Sequence, residues 1–245
     1  MSIAANRIAE NLARLRNEIA DTCARAHRDP ATVALMAVSK MHPAEVILEA
    51  HAAGQRLFGE NRVQEWQSKH AQLADLFEAT RSVPPAAQAH LIGPLQNNKT
   101  AKAAELFHAI DTLDSLKTAE RLHRAAQSLN KKLPVLIEVK LSPEETKHGL
   151  APAELPILLD ALAPLDHLIV RGLMTVPPWS DDTPEGAETA RPYFRELRRL
   201  RDRLHPTHPT LTQLSMGMSN DFRVAIEEGS TTIRIGTAIF GHRPH

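Results

Sequence analysis

Short apolar runs and amphipathic stretches alternate along this chain eight times, and that rhythm limits the fold more than any other feature. An opening helix is predicted over 3–27, because Ile8, Leu12, Leu15 and Ile19 recur at three- and four-residue steps. Asp29-Pro30 breaks it, and Val33 to Val38 then form a continuous apolar run. Such a run fits a strand covered on both faces, as in a parallel sheet. Residues 43–53 read as a helix, with Pro43 near its first turn and Gly54 as its stop. Further strands are predicted at 56–59, 90–93, 108–111, 134–139, 168–174, 212–215 and 232–235. Helices are predicted at 61–78, 97–107, 115–129, 152–162, 187–204 and 219–228, with a short closing helix over 237–240. Eight such units argue for an α/β fold, a single closed (β/α)8 barrel of the TIM type, with an open doubly wound sheet as the competitor. The expected organisation is one domain over 1–245, with the extra N-terminal helix, residues 1–28, packed on the barrel. The proline-rich stretch 177–186 reads as a mobile loop rather than a domain linker.

Composition sets the remaining bounds. Hydrophobic residues make up 42% of the chain and aromatics only 4%, so the core must be aliphatic and rich in alanine. Lys+Arg and Asp+Glu balance at 29 each, which leaves no global basic field for nucleic acid or an anionic membrane. The run Arg198, Arg199, Arg201, Arg203 is basic, but Phe194, Leu197, Leu200 and Leu204 mark the buried stripe of the same helix. The arginines therefore belong to its solvated face. The N-terminus carries charges throughout and has no apolar signal-peptide core, and no run of about 18 apolar residues occurs. A soluble, cytoplasmic protein, away from membranes, is the expectation. The single cysteine, Cys23, has no partner for an internal disulfide and reads as a small, part-buried hydrophobe. His205 and His208 are interleaved with Pro206 and Pro209, and neither Cys-x-x-Cys nor His-Glu-x-x-His is present, so no metal site is expected.

The residues able to carry chemistry concentrate where predicted strands end, which is where barrel enzymes build their sites. Lys40 follows the first apolar run, where partial desolvation favours a neutral, nucleophilic amine, although an ordinary surface lysine fits the run equally well. Gly59-Glu60-Asn61 end strand two, and Gly93-Pro94 end strand three ahead of Gln96-Asn97-Asn98-Lys99. Met174-Thr175 end strand six. Leu214-Ser-Met-Gly-Met-Ser-Asn-Asp221 follows strand seven, where Gly217 permits close backbone approach and Ser219-Asn220 are expected to open a helix. Arg234-Ile235-Gly236-Thr237 close strand eight. Two neighbouring helix N-termini offer amides to an anion, the phosphate site common in barrels, although Ser219 also suits a plain helix cap. Arg234 shares the side of Gly236 by strand alternation, and a barrel-interior arginine needs a partner, a strand-end carboxylate being the plain alternative to a ligand. A lysine, an anion cradle and an arginine suit pyridoxal 5'-phosphate held as a Schiff base. A cofactor-free aldolase acting on a sugar phosphate would use the same lysine.

At these residues the sequence resembles the pyridoxal-phosphate homeostasis proteins, single-domain barrels similar to the N-terminal domain of alanine racemase. The resemblance rests on Ala37-Val-Ser-Lys40, Phe58-Gly-Glu-Asn-Arg-Val-Gln-Glu65, His90-Leu-Ile-Gly-Pro-Leu-Gln-Asn-Asn-Lys99, Lys147-His-Gly149 and Gly172-Leu-Met-Thr175. Leu214 to Phe222 and Arg234 to Gly241 complete it. It implies that Lys40 forms the Schiff base, that Ser219, Gly236 and Thr237 hold the phosphate, and that Arg234 partners the pyridine nitrogen. Asn61, Met216 and Met218 are implied to line the pocket. Lys140 stands where the family usually has asparagine, adding an amine near the expected pocket mouth.

The resemblance implies a non-catalytic carrier that buffers, protects or delivers pyridoxal 5'-phosphate, with apo enzymes dependent on that cofactor as its partners and a monomer as its expected state. The alternative is a racemase or decarboxylase of narrow scope. Such an enzyme needs a second acid/base opposite the lysine. The lone tyrosine, Tyr193, falls in a helix, and the chain ends nine residues after Gly236, which is expected to leave no room for a further domain. His90 and His108 are expected at the barrel's other end, leaving His242 as the one reserve.

Overall fold

The computed structural model describes residues 3–79, 87–144, 148–181 and 183–241, with the side chains of 3–6 and 76–79 excepted. Lys147 and His242 lie outside the described residues. The chain runs α1 (Ile3–Arg25), β1 (Ala34–Val38), α2 (Ala44–Ala52), β2 (Leu57–Glu60), α3 (Val63–Ala79), β3 (Gln88–Leu91), α4 (Thr100–Leu106) and β4 (Ala109–Leu113). It continues through α5 (Leu116–Ser128), β5 (Leu133–Glu138), α6 (Leu155–Leu162), β6 (Leu168–Met174), α7 (Pro184–Glu188) and α8 (Arg191–Leu204). β7 (Gln213–Ser215), α9 (Phe222–Glu227), β8 (Thr232–Ile235) and α10 (Thr237–Phe240) complete it.

The eight strands close into one parallel barrel in sequence order, β1 pairing with both β2 and β8. Closure rules out the open doubly wound sheet. Each strand alternates between a face toward the outer helices and a face toward the barrel interior. On the outer face Ala37, Phe58, Ile110, Ile137, Leu214 and Ile233 join one aliphatic core. The interior carries polar groups as well, among them Asp111, Glu138, Ser215 and Arg234, all buried.

α10 has a single turn, too short to cover the seam between β8 and β1. α1 covers it instead, packing against α2, α9 and α10. Its stripe Ile8, Leu12, Leu15, Ile19 and Cys23 is buried. Asn11 Nδ2 and Arg28 Nη1 tie this segment to the carbonyls of Ile239 and Ile226 at 2.9 and 2.6 Å. Cys23 is wholly rather than partly buried, and that burial pushes its thiol pKa up, away from the reactive thiolate.

The helix expected over 187–204 is two helices, with a turn at Thr189-Ala190 between α7 and α8. Pro184 occupies the first turn of α7, and the Thr183 hydroxyl caps it by accepting from the Gly186 amide at 3.0 Å. The expected 177–186 loop therefore ends earlier than its composition suggests. On α8 the predicted stripe Phe194, Leu197, Leu200, Leu204 is buried. Arg198 is not simply solvated: it pairs with Glu228, which also binds Arg191 and Arg195. Among the described residues no helix is long and apolar enough to cross a membrane.

Candidate ligand site at the carboxyl end of the barrel

A cavity of about 440 Å³ opens at the carboxyl ends of the strands. Val38 and Lys40 reach it from β1, Asn61 from β2, Ile92 from β3, Met218 to Asp221 from the loop after β7, and Arg234, Gly236 and Thr237 from β8. Lys40 is half-buried in the turn that follows β1. The sequence-derived residues Lys40, Asn61, Met218, Ser219, Arg234, Gly236 and Thr237 thus face one space. Met216 does not: it is fully buried in the outer aliphatic core. The reason is alternation. Ser215 points inward to Arg234, so the next residue points outward.

The loop after β7 also departs from expectation. Ser219 and Asn220 form a turn, and α9 begins only at Phe222, with Asp221 in the cap position. The Met218 amide donates to Asp221 Oδ1 at 2.6 Å, and the Asp221 amide donates back to the Met218 carbonyl at 3.2 Å. This reciprocal pair closes the turn and postpones the helix. Gly217 sits beneath it at φ +98, where a Cβ would stand 2.6 Å from Ala225 Cβ. The Gly217 carbonyl accepts the Arg234 amide at 2.9 Å, which locks the loop to β8. On the other side, Gly236 caps α10, its carbonyl accepting the Ile239 and Phe240 amides at 2.9 and 3.0 Å, so that the helix opens with the amides of Thr237 and Ala238. The hydroxyls of Ser219 and Thr237 and these two chain turns make a concave, donor-rich wall suited to an anion.

Arg234 reaches sideways to the adjacent strands β7 and β6. Its Nη1 donates to Ser215 Oγ at 2.7 Å and its Nη2 to the Thr175 carbonyl at 2.9 Å. Burial lowers the guanidinium pKa, and the negative charges of Asp111, Asp221 and Glu138 oppose that fall. Burial pushes the Glu138 carboxyl up to about 7, against the pull of Arg234 and with a further push from Asp114. Burial raises Asp221 as well, against its bond from Met218 and the charge of Arg234.

Several lining residues were not read from sequence. His42 is buried and its ring packs on Phe240 with centroids 5.1 Å apart. Trp179, 77% exposed, and Ser180 come from the β6–α7 loop. The Ser180 carbonyl accepts from Asn220 Nδ2 at 2.9 Å. His42 had a signal, since it stands two residues after Lys40; Trp179 had none beyond its proline-rich loop.

Other sequence candidates lie elsewhere. Gln96, Lys99 and His148 line a larger neighbouring groove of about 1090 Å³ that shares Asn61 with the site. Lys140 follows β5, where its amide bonds the Leu150 carbonyl at 2.9 Å, and it does not line the 440 Å³ cavity. His90 and His108 line a cavity of about 400 Å³ at the opposite end of the barrel, where His90 Nδ1 lies 3.1 Å from Asp111 Oδ1. His90 is the third residue of β3 rather than its first. Among the described residues no group of three or more His, Cys, Asp or Glu is placed to hold a metal ion.

Comparison with known proteins agrees with this architecture. The family model for the alanine racemase N-terminal domain matches residues 3–244. The pyridoxal phosphate homeostasis protein of Pseudomonas aeruginosa is 44% identical over 238 residues, covering 97% of this chain and 96% of the relative. That of Escherichia coli K12 is 41% identical over 240 residues, covering 98% of each. The structure of PipY from Synechococcus elongatus, described with PLP bound, superimposes with a TM-score of 0.81 at 42% identity. It covers 96% of this chain and 100% of that one. Alanine racemase from Clostridium difficile shares the fold at 15% identity with a TM-score of 0.68, the match spanning 58% of its length. The chain belongs to the pyridoxal phosphate homeostasis protein family, built on the alanine racemase N-terminal domain.

Proposed function

We propose that this protein binds pyridoxal 5'-phosphate in the 440 Å³ cavity and serves its homeostasis as a carrier rather than as an enzyme. The observation that carries this reading is the placement of Lys40, Arg234 and the Ser219/Gly236/Thr237 wall around one space. The size suits a small heterocyclic phosphate, since ligand cavities run from about 300 to 1,000 Å³. The donor set suits it too. Gly236 keeps the wall concave: a Cβ there would stand 3.2 Å from the Val38 carbonyl. The names of the curated relatives and the PLP-bound PipY structure point the same way.

When bound, the cofactor supplies an aldehyde carbon open to an amine and a ring that accepts electron density. Lys40 Nζ would be the amine that meets that carbon and holds the cofactor. Ser219 and Thr237 donate hydroxyls to the phosphate beside the first-turn amides of α10. Arg234 donates toward the ring nitrogen and, being a fixed cation, keeps that nitrogen unprotonated. Asn61 and Met218 shape the pocket sides. A holo-protein of this kind holds the reactive aldehyde out of solution and can release it to apo enzymes. We read the chain as one domain that works as a cytoplasmic monomer.

The test is reduction with borohydride followed by peptide mapping. The purified protein should carry a visible chromophore, and the pyridoxyl group should be fixed on Lys40. A colourless protein that cannot be reconstituted, or a label mainly on Lys140 or Lys99, would overturn the assignment.

A further inference from the structure

Lys40 stands on a turn whose two flanking residues are gripped by one ion cluster outside the cavity, with Glu60 and Lys69 buried and Glu65 part-exposed. Lys69, on α3, is buried, and its ammonium donates to the Ser39 carbonyl at 2.8 Å, to Glu60 Oε1 at 2.8 Å and to Glu65 Oε1 at 2.7 Å. Those three bonds use every donor an ammonium has. The Ser39 hydroxyl donates to the same Glu60 oxygen at 2.7 Å. Glu65 Oε1 also accepts the Met41 amide. Residue 39 is therefore held through Glu60 and Lys69, and residue 41 through Glu65.

The backbone between these anchors is unusual. Met41 has φ +63, a left-handed conformation that side chains other than glycine seldom adopt. Such a conformation persists where its surroundings over-determine it. The Glu65 carboxylate is one such constraint, because it accepts the Met41 amide in that orientation. Removing water from two carboxylates and an ammonium is costly unless geometry and bonding are complete, so the cluster favours one arrangement. None of Glu60, Glu65 and Lys69 lines the cavity.

We infer that Lys69 and Glu65 are positioning residues that hold the Ser39–Met41 turn so that the Lys40 amine enters the cavity. The inference rests on the reading that Lys40 condenses with the cofactor aldehyde. It separates two properties of the site: the phosphate wall and Arg234 retain the ligand, while the cluster governs attachment to Lys40.

The test compares two ligands on the full-length protein. Absorbance after mixing with pyridoxal 5'-phosphate reports attachment. Calorimetry with pyridoxine 5'-phosphate, which has an alcohol in place of the aldehyde, reports occupancy without a covalent bond. Lys69→Met and Glu65→Ala should each slow attachment by about tenfold or more, the scale of one lost charge-assisted hydrogen bond. Pyridoxine 5'-phosphate should still bind within about twofold of the wild type. Glu65→Gln keeps an oxygen for the Met41 amide and should restore most of the rate. Glu65 is part-exposed, so Glu65→Ala keeps the question answerable if Lys69→Met does not fold. Equal loss of both ligands would show a merely structural role, and unchanged attachment in Glu65→Ala would also overturn the inference. A wild type that takes up neither ligand would instead sink the functional reading, and the inference with it.

Discussion

Arg234 on β8 reaches Ser215 on β7, its Nη1 donating to the Ser215 hydroxyl at 2.7 Å inside the barrel. Its Nη2 is held at the end of β6 by the Thr175 carbonyl, 2.9 Å away. The guanidinium is thus fixed by neutral acceptors from two neighbouring strands. Asp111, Asp221 and Glu138 act on it through their charge. A cation held this way is in place before any ligand arrives, so little ordering cost falls on binding.

Arg234→Ala should therefore weaken retention of pyridoxal 5'-phosphate more than Ser219→Ala does. A lost charge-assisted contact costs on the order of 1.5–3 kcal/mol, and a lost neutral hydroxyl contact about 0.5–1.5 kcal/mol. The Arg234 variant should also shift the absorption band, since the ring nitrogen is then no longer held unprotonated. Titration of the apo-proteins, with thermal unfolding as the control for folding, checks both. Equal and small effects would make Arg234 part of the barrel framework only.

Gly217 and Gly236 should respond differently to alanine. At Gly217 the backbone is left-handed and a Cβ would stand 2.6 Å from Ala225 Cβ, so Gly217→Ala should destabilise the fold by about 1–3 kcal/mol. Gly236 has φ −113, outside the left-handed region, and its Cβ would press the Val38 carbonyl at 3.2 Å. Gly236→Ala should leave the denaturation midpoint nearly unchanged and weaken the ligand. A large midpoint shift in Gly236→Ala, or none in Gly217→Ala, would contradict this.

Strand alternation and apolar periodicity made the barrel legible, because buried parallel strands must be continuously apolar. β6 and β8 fall on their predicted bounds, and the other strands within two residues at either end. What the pattern could not supply were side chain–backbone bonds. Asp221 closing a turn on Met218 moved the start of α9, and the Thr183 cap started α7 inside the expected loop. Met216 was misplaced because its neighbours on both sides serve the site, while alternation turns it to the core. Trp179 and His42 arrive by loop geometry, which depends on the folded barrel. The Glu60–Lys69–Glu65 cluster was equally hidden, since only helix α3 packed beside β2 brings its three charges together.

Stability should fall as pH rises through the titration of Glu138. Burial lifts its carboxyl from the ordinary 4.5 to about 7 in the folded state. Between those values the folded protein binds the extra proton, so unfolding becomes easier as pH increases and the loss is complete above about 7. At 1.36 kcal/mol per unit the shift bounds this loss at about 3 kcal/mol. Glu138→Gln carries no titrating proton there and should flatten the curve, gaining most over the wild type at alkaline pH. Burial shifts Glu60 and Asp221 in the same direction, so some slope remains. Urea unfolding at pH 5 and pH 8 gives the comparison, and an equal difference between the two proteins at both would refute it.

Turnover of amino acids should be slow. Racemisation or decarboxylation at an amino acid's Cα needs a proton supplied on a defined face, and the face opposite Lys40 needs its own positioned acid/base. Two titratable groups besides Lys40 and Arg234 line the cavity among the described residues: His42 and Asp221. Asp221 Oδ1 is engaged by the Met218 amide at 2.6 Å. The His42 ring is buried, packed on Phe240, and close in the chain to Lys40 itself. Each of the two already has a structural partner of its own, the Met218 amide for Asp221 and the Phe240 ring for His42. A general acid/base contributes about 10²–10⁴-fold, so without one only slow, promiscuous chemistry remains. Holo-protein incubated with single L-amino acids, with chiral composition and carbon dioxide release followed, gives the answer. Turnover of any one at about 1 s⁻¹ or faster would overturn the carrier reading. If His42→Ala then abolished that turnover while the chromophore stayed on Lys40, the second acid/base would be His42.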